Sequence, residues 1–148
     1  MGARDGRTVS VVAKPVRLAI IDNSIFPDVY KPVEHWARQL DVPWQAFVAR
    51  DHRFPELGSF THLILTGSEA SILEPADWVA EEAEVAAEAV RRGLAVLGSC
   101  WGHQLLALAL AGPGHVGRSP RPEVGWIPVR LTVTSDLLGQ AGEEPVTF

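Results

Sequence analysis

Leu94-Ala95-Val96-Leu97-Gly98-Ser99-Cys100-Trp101-Gly102-His103-Gln104 is the stretch on which the reading of this chain turns. Leu94 to Leu97 reads as a buried strand. Gln104 to Ala111 reads as an apolar helix, closed by Gly112 and Pro113. Between them stands Gly-x-Cys-x-Gly, which carries the single cysteine of the sequence. A Gly-x-nucleophile-x-Gly bend between strand and helix presents its central side chain at the carboxyl edge of a sheet, over a helix amino terminus. The two glycines spare room where side chains would clash, and the positive helix end favours a thiolate. A lone cysteine is commonly a small buried hydrophobe. Here the flanking glycines, the strand before and the helix after favour a nucleophile.

Working outward, Val16 to Ile21 reads as a strand that ends at Asp22-Asn23-Ser24. Asp28 to Leu40 reads as a helix, with Pro32 in its first turn and Val33, Trp36, Ala37 and Leu40 at helical spacing. Trp44 to Ala49 and His62 to Leu65 read as strands, the latter running into the turn Thr66-Gly67-Ser68. Pro75 to Arg92 is the clearest helix, with Trp78, Val79, Val85, Ala86, Ala89 and Val90 on one side and Gly93 as its stop. Trp126 to Thr134 has strand character after a Gly/Pro-rich connector. Strands alternating with helices predict an α/β fold: a mostly parallel open sheet with helices on both faces.

Composition bounds the partners. The chain has 148 residues, 47% of them hydrophobic, with a net charge of −5 and no Lys/Arg block. That suits one domain, with Met1 to Lys14 as a loose amino-terminal arm and the domain proper from residue 15 to 148. Neither nucleic acid nor a membrane is an expected partner. One thiol cannot form an internal disulfide, so a reducing, cytoplasmic setting is expected. No metal site is expected from one cysteine and dispersed histidines, and no cofactor from Asp22-Asn23-Ser24-Ile25-Phe26-Pro27, which is not a glycine-rich phosphate loop.

A cysteine nucleophile needs donors for an oxyanion and a base. The expected donors are the backbone N–H groups of Trp101 and of the Thr66-Gly67-Ser68 turn, which a parallel sheet brings to one edge. The base stays open among His35, His52, His62, His103 and His115. His103 reads as structural or pocket-lining. His52 and His115, in loops, could reach the site. Asp22 suits a turn or cap, and Glu123-Val124-Gly125-Trp126 reads equally well as a solvated strand start.

Together these segments resemble a class I glutamine amidotransferase domain of the triad type, GMP-synthase-like branch, from about Val16 onward. Gly98-Ser99-Cys100-Trp101-Gly102-His103-Gln104 matches that family's nucleophile turn, Leu63 to Ser68 its oxyanion-loop strand, and Glu123-Val124-Gly125-Trp126 its Glu-x-Gly segment. The resemblance implies a flavodoxin-like sheet. It also implies hydrolysis of a glutamine side-chain amide, or a γ-glutamyl amide, through a Cys100 thioester. Gly67 and Trp101 would serve the oxyanion, and Ser68, Gln104 and Glu123 the substrate. A synthase subunit that accepts ammonia is an implied partner.

The family's His-x-Glu pair lies well downstream of the cysteine. Only 48 residues follow Cys100 and none forms His-x-Glu. The expectation is a domain lacking its carboxyl-terminal part and a chain inactive by itself. Alternatives are a non-catalytic binding or regulatory module with this fold and a γ-glutamyl peptide hydrolase. The related intracellular-protease type is disfavoured, because it has His where this chain has Trp101.

Overall fold

The computed structural model describes residues 15–120 and the backbone of 128–129 and 146–147. The chain divides into two compact units, Met1–Gly117 and Arg118–Phe148. The first holds four strands: β1 (Leu18–Asp22), β2 (Trp44–Val48), β3 (His62–Leu65) and β4 (Ala95–Gly98), all parallel in the order β2-β1-β3-β4. The second contains β5 (Pro128–Val129) paired antiparallel with β6 (Val146–Thr147). The amino-terminal arm, Glu123 and the remainder of the expected Trp126–Thr134 strand lie outside the described residues.

The β period of two sorts the sheet residues into two cores. Leu18, Ile20 and Ile64 face one side, where Val33, Trp36, Leu40 and Val42 cover them. Ala19, Ile21, Leu63 and Leu65 face the other, beneath α2 (Trp78–Arg91) and α3 (Trp101–Ala111). Helices therefore lie on both faces, as an alternating strand–helix order requires.

Boundaries move where tertiary contacts outweigh local pattern. The helix expected over Asp28–Leu40 is only Pro32–Ala37 (α1). Upstream, Val29 and Tyr30 both donate to the Phe26 carbonyl in a tight turn; downstream, i to i−3 bonds at Gln39 and Leu40 replace the α pattern. Helix α3 starts at Trp101 rather than Gln104, with the amides of His103 and Gln104 both donating to the Cys100 carbonyl. The nucleophile strand, expected to be buried, is not: Ala95 is exposed and Leu97 is 45% exposed, because on that face α1 packs over β1 and β3.

Candidate active site

Parallel register fixes which loops meet. Leu65 pairs with Gly98, so the turns after β3 and β4 leave the sheet at the same edge. The Ser99 amide donates to the Leu65 carbonyl at 3.0 Å, and the Gly102 amide to the Thr66 carbonyl at 3.1 Å. These bonds draw the bend against the end of β3 so closely that two positions admit no side chain. A Cβ on Gly98 would lie 2.5 Å from the Gly102 carbonyl oxygen, and one on Gly102 would lie 2.3 Å from that of Leu65.

Cys100 sits between them at φ 52°, ψ −111°, in a region L-residues rarely adopt, and it is exposed. Strain of this kind costs about 1–3 kcal/mol and persists only where the surroundings impose it. Cys100→Gly is therefore expected to be about 1 kcal/mol more stable than Cys100→Ala in urea unfolding. Elsewhere glycine is the less stable of the two, so the reversed order diagnoses the strain. Equal stabilities would show the bend to be relaxed.

Gly67 is buried beside this thiol: a Cβ built there would come within 3.5 Å of Cys100 Cβ and 2.6 Å of Tyr30 Oη. Among the described residues no group accepts a hydrogen bond from the backbone N–H of Gly67 or Trp101. Two unspent donors thus flank the exposed sulfur. The Trp101 ring is buried and packs on Trp78 with centroids 5.3 Å apart, which anchors the start of α3 to α2.

The other expected residues divide. Gln104 is exposed one turn into α3 and lines a cleft of about 160 Å³ with Ile72, His103, Ala107, His115, Val116 and Gly117. The Ser68 hydroxyl accepts from the Ala70 amide at 3.0 Å, a bond internal to its own turn. Asp22 Oδ1 accepts from the Ser24 amide at 2.9 Å, a turn role. His52 does not turn to the thiol. It bonds Glu81 at 2.8 Å and faces Asp77, and the Glu81 carboxylate raises its pKa. His62 opens β3 at the far edge and is 2.8 Å from the Thr61 hydroxyl. His35 lies on α1 against Trp36. Among the described residues, no histidine hydrogen-bonds to Cys100, and no His/Cys/Asp/Glu group is arranged to hold a metal. No described helix is long and apolar enough to cross a membrane.

Two residues escaped the sequence reading. Tyr30 falls within the helix expected over Asp28–Leu40, yet its hydroxyl stands over Gly67. Burial, then the nearby Cys100, Glu69 and Asp22, raises its pKa, so it remains a hydrogen-bond donor at neutral pH. Glu69 holds this loop down by accepting from the amides of Ile25 and Phe26 at 3.1 and 3.3 Å. Glu82 is the second, completely buried on the core stripe of α2. Its position four residues after Trp78 and four before Ala86 was the available signal.

No family profile matches the chain. A 63-residue stretch is 44% identical to the glutamine-hydrolysing GMP synthase of Aeropyrum pernix, covering 43% of this chain and 11% of that protein. Among solved structures, a glutamine amidotransferase from Methylobacillus flagellatus is similar with a TM-score of 0.59 and 25% identity, over 77% of this chain and 45% of that one. A glutamine amidotransferase from Thermotoga maritima shares the fold at a TM-score of 0.53, over 66% of this chain and 44% of its own. The chain thus spans about a tenth of the curated relative and under half of each solved one. The four-stranded parallel sheet with helices on both faces is an α/β flavodoxin-like fold. Within that class, the chain is similar to class I glutamine amidotransferase domains, and its 63-residue match is to a GMP synthase.

Proposed function

We propose that this domain hydrolyses the side-chain amide of glutamine, or of a γ-glutamyl compound, with Cys100 as nucleophile. The observation that carries the reading is the exposed thiol at positive φ, beside two backbone N–H groups with no protein acceptor. In this reading the sulfur attacks the amide carbon, and the carbonyl oxygen takes up negative charge opposite Gly67 and Trp101. The C–N bond then breaks, nitrogen leaves as ammonia carrying the proton that the thiol gave up, and water hydrolyses the γ-glutamyl thioester to glutamate, which restores the thiol. In this reading Gln104, exposed on a cleft that it lines with His103 and His115, would help shape the substrate pocket. Ser68 and Glu123 are kept as substrate-binding candidates by the family resemblance alone. Ammonia would pass to a synthase partner, as the name of the GMP synthase relative suggests.

A second reading is a module that binds glutamine without turning it over. It is favoured by the lack of any described histidine bonded to Cys100. Mass spectrometry after treatment with a glutamine-analogue diazoketone separates these from an inert fold. Stoichiometric alkylation of Cys100, blocked by excess glutamine, is expected. Ammonia release is then measured, and Cys100→Ser is expected to lower it by about a thousandfold or more. Labelling that glutamine does not block would overturn both readings; labelling without ammonia release would select the module.

A further inference from the structure

The chain has one tyrosine and one cysteine, and the fold brings them together over Gly67. The position that a Cβ on Gly67 would take lies 2.6 Å from Tyr30 Oη and 3.5 Å from Cys100 Cβ. Hydroxyl and thiol therefore border the same patch of backbone, which stays open because residue 67 has no side chain. Among the described residues the Tyr30 hydroxyl has no hydrogen-bond partner, and Cys100 is not bonded to it. Tyr30 is 37% exposed, so its ring borders solvent as well as the site.

The loop that carries this ring is held from several sides. Glu69 accepts from the amides of Ile25 and Phe26, and Arg50 donates to the Ser24 carbonyl at 2.8 Å. The Phe26 carbonyl accepts from the amides of Val29 and Tyr30, and Pro32 is buried where α1 starts. A phenylalanine ring would pack on this loop as well as a tyrosine ring does, so the hydroxyl is not a packing requirement. Polar neighbours around the turn have partners of their own. Thr66 Oγ1 accepts from the Asn23 amide and donates to the Gly67 carbonyl. Ser68 Oγ accepts from the Ala70 amide, and Asp22 Oδ1 from the Ser24 amide. Tyr30 thus adds to the rim an O–H that its own surroundings do not use. Burial, then Cys100, Glu69 and Asp22, keeps the proton on that oxygen at neutral pH. A tetrahedral oxyanion carries three lone pairs, and the two backbone donors at Gly67 and Trp101 leave one of them free.

We propose that Tyr30 is a catalytic residue of this site: its hydroxyl donates a third hydrogen bond to the substrate oxygen as negative charge develops there. The role rests on the function proposed above. Glutamate γ-semialdehyde tests it. Its aldehyde carbon takes the Cys100 sulfur, the thiol proton passes to the oxygen, and no nitrogen is present. In the full chain labelled with 13C-tyrosine, the single ring Cζ signal is expected to move when the aldehyde binds, and to stay still in Cys100→Ala. Tyr30→Phe is expected to bind the aldehyde about tenfold more weakly, the loss of one hydrogen bond to a charged group. Its urea midpoint and its alkylation by iodoacetamide are expected to match wild type, because ring and thiol stay in place. Where glutamine hydrolysis is measured, kcat should fall about a hundredfold while KM stays within about twofold of wild type. Equal aldehyde affinity in Tyr30→Phe and wild type, both forming the Cys100 adduct, would overturn the proposal and leave the hydrolytic reading standing. A Cys100 that iodoacetamide alkylates but the aldehyde does not would overturn the hydrolytic reading, and this role with it.

Discussion

Gly102→Ala is expected to lower the stability of the domain by about 3 kcal/mol or more and to abolish alkylation of Cys100 by a glutamine analogue. Overpacking typically costs about 1–3 kcal/mol because side chains can move aside. Here the added methyl would meet the Leu65 carbonyl oxygen at 2.3 Å, its carbon at 2.7 Å and the Leu65 Cβ at 2.8 Å. Two of those atoms are backbone, and the contact is locked by the Ser99–Leu65 and Gly102–Thr66 bonds. Relief therefore requires the bend to lift off β3, which carries the Cys100 sulfur away from Gly67. Gly98→Ala should act similarly through the Gly102 carbonyl at 2.5 Å. Gly58→Ala is the control, since nothing lies within 4 Å of its added Cβ, and it should stay within about 0.5 kcal/mol of wild type. Urea unfolding midpoints decide the matter. A Gly102→Ala protein within 1 kcal/mol of wild type would mean that the bend is not seated on β3 as described.

The second large effect is in the pH dependence of folding. An unfolded Glu82 loses its proton near the ordinary value of 4.5, while the folded one keeps it to about 8. Between those values the native state binds the extra proton, so stability falls as pH rises through the window and levels off above it. The whole swing is on the order of 4 kcal/mol, the scale of a buried carboxyl that must be desolvated before it ionises. Glu82→Gln has no proton to lose. Its stability at about pH 9 is expected to exceed that of wild type by a few kcal/mol, with the two curves converging towards pH 5. His52, whose pKa is raised by Glu81, titrates in both proteins and cancels in the difference. Chemical denaturation across this range is the measurement, and parallel curves would show that Glu82 is not buried as an acid.

Much of the site was legible along the chain. Gly98-Ser99-Cys100-Trp101-Gly102 specifies its bend by sterics that act within five residues, and alternation in β1 and β3 fixes which side chains enter each core. Parallel order then puts Gly67 at the same edge as Cys100. Helix ends were less legible: α1 lost a turn at each end because the Phe26 turn and Pro32 set its start and i to i−3 bonds tightened its finish. Partners distant in sequence were not legible at all. Nothing near Tyr30 announces that its hydroxyl meets Gly67.

Sequence by itself determined the strand–helix order, the strained cysteine and the need for its two glycines, because each is a local consequence of backbone geometry and side-chain volume. Only the tertiary structure decided that His52 belongs to Glu81, that Tyr30 roofs the site, and that Glu82 lies buried. The reason is physical: a charge's partner and a carboxyl's proton depend on what surrounds them in space, and that environment is assembled from elements far apart in the chain.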